Sequence, residues 1–430
     1  MPSLTYSKSD ICNDFFAPLP GAAELGNRRG CPVLADLDWV AAGVVRALHP
    51  MASGRDFIQT LSEAAAGAEI GRSHYFETLK SRRRLALVAE VAGIVAARMG
   101  AGMPGGPDAL AALPGLEGFE VFAGDGHWHA HAAHDPAKPR GAGGGESKYP
   151  TGHLYGIDLR TRAAFHLAAC DEVARKKEHD IRALKRLDPE ALRRGAPRGK
   201  KVIWVWDRAG IDFAQWHRWK QAKGIYFISR AKANMNTAEV APREWCRRDP
   251  ANAGVEADGI ILGAQQTMVR LVRYRCPVSG DLYEFVTNEM TLPPGAVAHL
   301  YRMRWDIEKT FDGFKNKLCE RKAWASSPQA KSMQAHFICL AHNLVTLYER
   351  RLAARHGIAN AAEDARRAKR LAADGERAKA RGADLPDIYR KLSRATQFPQ
   401  KFIRWLRIHL FRPTSREHAH AQLKRHLATL

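Results

Sequence analysis

The sequence is short of acids, of paired cysteines and of long apolar runs, and each shortage excludes something. Nowhere do 18 apolar residues follow one another, so no membrane span is expected. The N-terminus shows no basic stretch leading into an apolar one, so no secretory signal is expected either. Seven cysteines (Cys12, Cys31, Cys170, Cys246, Cys276, Cys319 and Cys339) form no C-x-x-C pair. That argues for reduced thiols in a cytosolic chain and against a zinc module built from cysteines. No internal repeat is visible. Asp plus Glu number 45 against 67 for Lys plus Arg, a net charge of +22. A surplus of that size calls for a polyanionic partner, and nucleic acid is the first candidate. Residues 350–430 hold 20 cationic and 7 acidic side chains, so more than half of the surplus sits there.

What is present is globular. Hydrophobic residues make up 45% and charged residues 26%, and 430 residues suffice for two or three domains. Residues 1–115 read as mostly helical, with Phe57, Leu61, Ile70, Phe76, Leu79, Leu85 and Val88 at helical spacing. Gly67 and Gly71 interrupt that pattern, and Ser53 and Ser73 are candidate caps. The cations of 79–84 fit the surface of a small DNA-binding domain, or merely a solvated basic helix. A Pro/Gly/Ala stretch at 103–116 separates this part from a β-rich one. Strands are expected at 117–124, 153–159, 163–170, 200–206 and 225–229, and helices at 178–192 and 213–222. That order implies a central sheet with helices packed on it. Asp125 and Asp207 would each end a strand, where open α/β sheets place ligands. Residues 231–294 read as an inserted β-subdomain, with strands at 268–276 and 282–287, and helix returns from 295 onward. Residues 350–382 fit an exposed helix or a flexible linker. Residues 384–411 regain apolar side chains and could pack on the core, bind DNA or form a dimer contact.

The densest chemistry lies at 301–315. Taken as one helix, Tyr301, Arg304, Glu308 and Lys315 fall within an arc of about 60°. Asp312 lies close by, and Phe311, Phe314 and Leu318 form a flanking face that can pack on a sheet. Such a column could be a site, or simply a surface ion-pair ladder. His127, His129, His131 and His134, with Asp135, could form a zinc site, contact DNA or line a polar loop. Trp204, Trp206, Trp216, Trp219, Trp305 and Trp324 mostly suit packing.

The spacing Y-x2-R-x3-E-x6-K, spelled by Tyr301, Arg304, Glu308 and Lys315, resembles the signature of DDE transposases of the IS-four family of insertion sequences. Ala123-Gly124-Asp125-Gly126 resembles the family's first aspartate motif, and Trp206-Asp207-Arg208-Ala209-Gly210 its second. Phe285-Val286-Thr287-Asn288 resembles the strand end that often precedes the signature helix. The resemblance covers roughly 117–343. It departs at His127, where Ser or Thr is usual, and at Ala209, where Gly is usual.

The resemblance implies an α/β fold: a ribonuclease-H-like mixed sheet flanked by helices, with an inserted β-subdomain and helical terminal regions. Its parts would be a helical DNA-binding domain at 1–115, the catalytic core at 116–230 and 295–350, the insertion at 231–294 and a basic helical region at 351–430. It implies that Asp125, Asp207 and Glu308 hold Mg²⁺, which Mn²⁺ could replace, because hard oxygen donors suit such ions. Tyr301, Arg304 and Lys315 would hold DNA phosphates, joined by Arg208 and Lys309. Lys317, Arg321 and Lys322 would extend a basic face toward flanking DNA, and Trp324 could stack a flipped base. The implied activity is cut-and-paste transposition on the terminal inverted repeats of an insertion sequence and on target DNA. A homodimer would form in the synaptic complex, in the bacterial cytoplasm and without a membrane. The alternative is a catalytically inactive, transposase-derived DNA-binding protein.

Overall fold

The computed structural model describes the chain apart from residues 1–8, 27–34, 51–52, 65–70, 101–107, 109, 138–147, 171–179, 236, 264–265, 393–399 and 429–430. Five helices come first: α1 (Asp10–Phe16), α2 (Asp36–Leu48), α3 (Gly54–Ala64), α4 (Arg72–Leu79) and α5 (Arg82–Gly100). The sheet begins with β1 (Phe119–His129), β2 (Thr151–Asp158) and β3 (Ala164–Ala169). Then follow α6 (Asp180–Lys185), α7 (Pro189–Arg193), β4 (Lys201–Val205), α8 (Phe213–Lys223) and β5 (Ile225–Arg230). Four more strands are β6 (Ala238–Pro242), β7 (Val255–Leu262), β8 (Met268–Arg275) and β9 (Leu282–Thr287). The remainder is helical: α9 (Pro294–Met303), α10 (Trp305–Asn316), α11 (Pro328–His356), α12 (Ala361–Lys379), α13 (Asp387–Leu392), α14 (Gln400–His409) and α15 (Arg416–Ala428).

One mixed sheet of nine strands runs β3-β2-β1-β4-β5-β9-β8-β7-β6. The β1–β4 and β4–β5 pairings are parallel, and the others are antiparallel. With helices on both sides, this is the ribonuclease-H-like α/β arrangement. β4 reads as an unbroken apolar, β-branched run because both of its faces are covered. Ile203 and Val205 join the layer beneath α2, α5, α9, α10 and α11. Val202 and Trp204 join Trp206, Trp216, Trp219 and Phe227 on the side of α8. Burying each such side chain contributes roughly 1.5–3 kcal/mol. The strands of 231–294 do not build a separate sheet, since β9 pairs with β5 through Ile228↔Thr287 to Arg230↔Phe285.

The terminal regions also join this core. Helix α11, capped by Ser327 with Pro328 in its first turn and closed at Gly357 (φ 59), packs against α2, α5 and β3. Leu110, Leu113 and Leu116, expected in a linker, are buried; the first part of that linker lies outside the described residues. Phe402 and Trp405 of α14 pack on Tyr348 of α11, so within 384–411 this helix takes the first of the three expected roles, packing on the core. Helix α12 of 350–382 is largely exposed, which is one of the two forms expected there.

Several local expectations need correction. The helix expected at 178–192 divides into α6 and α7, because Asp188 caps a new helix that starts at Pro189. Ser53 does cap α3, accepting the Asp56 N–H at 3.1 Å. Ser73 does not cap α4, whose N-cap is Gly71. The cations of 79–84 are not all on a free surface: Arg83 and Arg84 both pair with Asp36, at 3.0 and 2.6 Å. Gly67, Ile70, Cys31 and the Leu61 side chain fall outside the described residues. No helix among the described residues is long and apolar enough to cross a membrane.

Candidate active site

The parallel ladder of β1 and β4 ends at Ala123↔Val205. Two residues further on stand Asp125, still within β1, and Asp207, just past the end of β4 and near enough to act on the Asp125 carboxyl electrostatically. Asp125 does not end its strand as expected. β1 runs on to His129, with Asp125 opposite Tyr155, because β2 goes on pairing with it after β4 has stopped.

The glycines around these aspartates answer to particular neighbours. A Cβ on Gly124 or Gly210 would stand 1.8 or 2.1 Å from the buried Trp206 ring. A Cβ on Gly126 would stand 2.5 Å from the Asp180 carboxylate. Asp207 caps the 3-10 turn at Arg208–Gly210, its Oδ1 accepting the Ala209 N–H at 2.9 Å. Its carbonyl accepts the Ser229 hydroxyl at 2.8 Å. Ala209, where the family usually has Gly, is not among the residues with positive φ, so alanine fits there.

The third acid arrives on α10. The segment expected as one helix is divided at Arg304, where the backbone bonds tighten to three-residue spacing: Arg304 N–H to Tyr301 C=O and Ile307 N–H to Arg304 C=O, both 3.0 Å. The Arg304 guanidinium then bridges two acids. Nη1 donates to Asp125 Oδ2 at 3.1 Å, and Nη2 donates to Glu308 Oε1 at 2.7 Å. Burial, Asp207 and Asp180 push the Asp125 carboxyl up to about 7, against the pull of Arg304 and the Gly126 N–H. Burial works against the charged form of Arg304, but Tyr301, Asp125 and Glu308 outweigh it and raise its pKa above the ordinary arginine value.

The other expected site residues fall into two groups. Tyr301 is half-buried, its ring 5.6 Å from the Arg304 guanidinium carbon. Arg208 and Lys315 are exposed. Lys309 is drawn aside to Asp306 at 3.2 Å, and Asp306 is buried in an ion pair with Arg162. Lys317 is buried rather than part of a basic surface. Trp305, expected to pack, is 57% exposed beside Arg304. Asp180 was not anticipated. Its one sequence signal was Gly126, which leaves room for it.

The histidines beyond Asp125 divide: His131 and the exposed His134 lie in the loop after β1, one of the forms expected for them, whereas His127 and His129 do not. His127 and His129 lie on β1 and are buried, with His127 against Phe311 of α10, ring centroids 4.8 Å apart. Both face buried Glu320, at 3.3 and 3.7 Å, whose Oε1 accepts the Tyr155 hydroxyl at 2.6 Å. Burial holds His127 and His129 down to about 4 and pushes Glu320 up to about 8. Burial thus favours the neutral form of each of the three groups.

Among the described residues, no three His, Cys, Asp or Glu side chains stand close enough together to hold one ion. Asp125 and Glu308 meet through Arg304 instead. The donor chemistry nonetheless fits a hard divalent ion, and a cation already stands between the two acids in the form of the guanidinium.

A cleft of about 1060 Å³ lies between α2–α4 and residues 319–327. It is lined by Arg46, Arg55, Arg72, Lys80, Arg321 and Lys322, with Glu77 as the acid in its wall. Trp324 borders it, with the Arg46 guanidinium carbon 4.2 Å from its ring centroid and Phe337 6.0 Å away. That leaves Trp324 largely occupied in packing. Lys322 bridges to Ala130, just past β1, so the cleft begins where the strand of Asp125 ends.

Comparison with known proteins bears on the family of the chain. A protein of Sinorhizobium fredii, y4zB, provisionally named a transposase, is 25% identical over 154 residues, which cover 35% of this chain and 43% of y4zB. The chain thus matches less than half the length of that relative. The model of the transposase DDE domain matches residues 120–344, from β1 into α11. That is more than half of the chain, and on that match the chain belongs to the DDE-domain transposase family.

Proposed function

We propose that the chain is an insertion-sequence transposase. It binds the terminal inverted repeats of its element and cuts and rejoins DNA there, with Asp125, Asp207 and Glu308 holding Mg²⁺ or, in its place, Mn²⁺. One observation supports the reading: Asp125 and Asp207 follow the end of the β1–β4 ladder and interact electrostatically, and Glu308 is tied to Asp125 through Arg304. When bound, divalent ions would activate a water or 3′-hydroxyl and stabilise the leaving oxygen.

The chain's own residues supply the rest. Asp125 and Asp207 come from a rigid sheet and fix the cut position. Arg304, Tyr301, Lys315 and Arg208 bind phosphates beside it, with Arg304 able to bind bidentately. Lys309 joins them once it leaves Asp306. The cationic cleft takes backbone leaving the site, as the net charge of +22 favours. The synaptic complex is a homodimer, and the work is done in the cytoplasm on nucleoid DNA.

The test is DNA carrying the element's ends, incubated with Mg²⁺ or with EDTA. The native protein is expected to cut with Mg²⁺, while Asp125→Ala, Asp207→Ala and Glu308→Ala leave only the background of a protein-free control. Cutting by all three variants would overturn the site. Binding without cutting by the native chain would favour an inactive, transposase-derived DNA-binding protein.

A further inference from the structure

We propose that Arg304 is a tethered counter-cation, holding Asp125 and Glu308 together until a divalent ion takes over their oxygens and frees the guanidinium for a DNA phosphate. The proposal rests on the reading of Asp125, Asp207 and Glu308 as the acids that hold the ion.

Three features carry it. First, Arg304 spends its two terminal nitrogens on acids from elements far apart in sequence. The second oxygen of Asp125 is taken as well, accepting the Gly126 N–H at 2.9 Å. Each oxygen keeps a lone pair, but the guanidinium charge beside Oδ2 repels an ion approaching there, and of the two partners the side chain is the one that can move away.

Second, Arg304 is buried but incompletely satisfied. Its side chain is 9% exposed, and its Nε is buried without a hydrogen-bond partner. Arg270 shows what a permanent structural arginine looks like in this fold. It grips Asp258 with two nitrogens at 2.7 Å each and donates a third bond to the Leu292 carbonyl. Arg304 lacks such a grip and holds one oxygen of each acid.

Third, Arg304 stands at the break between α9 and α10, where the three-residue bonding gives the backbone a place to turn. A small rotation there moves Glu308 and the guanidinium relative to Asp125 on the fixed sheet.

Exchange of the guanidinium for an ion couples ion binding to phosphate binding, and such coupling is reciprocal. The test measures Mn²⁺ affinity by electron paramagnetic resonance of the free ion, on the whole protein at pH 8.5, with and without duplex DNA. Native protein without DNA is expected to bind Mn²⁺ weakly, and DNA to tighten that binding. Arg304→Gln is expected to bind Mn²⁺ at least about fivefold more tightly without DNA and to lose most of the tightening. Arg304→Lys, a charge that reaches only one acid, is expected to fall between them and serves if the glutamine variant melts early.

Native-like Mn²⁺ affinity in both variants, with loss of binding in Asp207→Asn, would overturn the counter-cation while leaving the acids as ion holders. Absence of Mn²⁺ binding in the native protein would overturn the underlying site and the proposal with it.

Discussion

Asp125, half-buried on β1, and Glu320, fully buried against the same strand, are carboxylates whose surroundings treat them differently. Asp125 has a guanidinium and a backbone N–H against the push of burial and two neighbouring aspartates, and titrates at about 7. Glu320 has only the Tyr155 hydroxyl, and burial takes it to about 8. Its histidine neighbours do not rescue its charge, since burial has pushed them down to about 4. Burial raises both carboxyls, and beside Asp125 the guanidinium and an N–H offset part of the push that burial and two aspartates exert. His127 thus belongs to the neutral pocket behind the site, although it is two residues from Asp125.

The sharpest way to break this contrast is pH. The apparent Mn²⁺ affinity of the native protein is expected to be level above about pH 7.5 and to fall about tenfold per unit below 7, because a proton then occupies Asp125. Calorimetric titration would show it, and an affinity level down to pH 5 would mean that Asp125 is already ionised there.

Glu320 predicts the opposite sign in stability. Its folded pKa is raised, so its contribution is fully present below the ordinary value of 4.5 and is lost as pH rises through about 8. Urea midpoints should therefore drop over that range by the equivalent of about 2–4 kcal/mol. Glu320→Gln should remove that part of the slope while staying near native at pH 6. An unchanged slope in this variant would refute a neutral Glu320.

The smallest effect is local. Gly126→Ala pushes a methyl into the Asp180 carboxylate and should cost about 1–3 kcal/mol in thermal or urea unfolding. A neutral result would show that Asp180 moves aside freely.

The order of elements along the core and the four motifs were legible in the sequence because they rest on local pattern, while the order of strands in the sheet was not. The run Val202 to Trp206 reads as a buried strand, and Phe311, Phe314 and Leu318 read as the packed face of their helix. What was hidden depends on partners distant in sequence. His127 and His129 look like a polar strand end until Glu320 and Tyr155 are placed opposite them. Arg83 and Arg84 look available for DNA until Asp36 claims them. The break at Arg304 has no proline or glycine to announce it, since it occurs where the side chain is held between two acids.

The contact between α2 and α11 bears on how the molecule can be taken apart. Phe337 lies over Gly43 so closely that a Cβ there would stand 2.1 Å from its ring. A scissile point near residue 115, inviting to anyone mapping modules from sequence, would leave that aromatic ring and the apolar sides of α2 and α5 facing water. The N-terminal helices share one core with the sheet and α11. Deleting them is therefore expected to cost folding as well as any DNA contact made through the cleft they line.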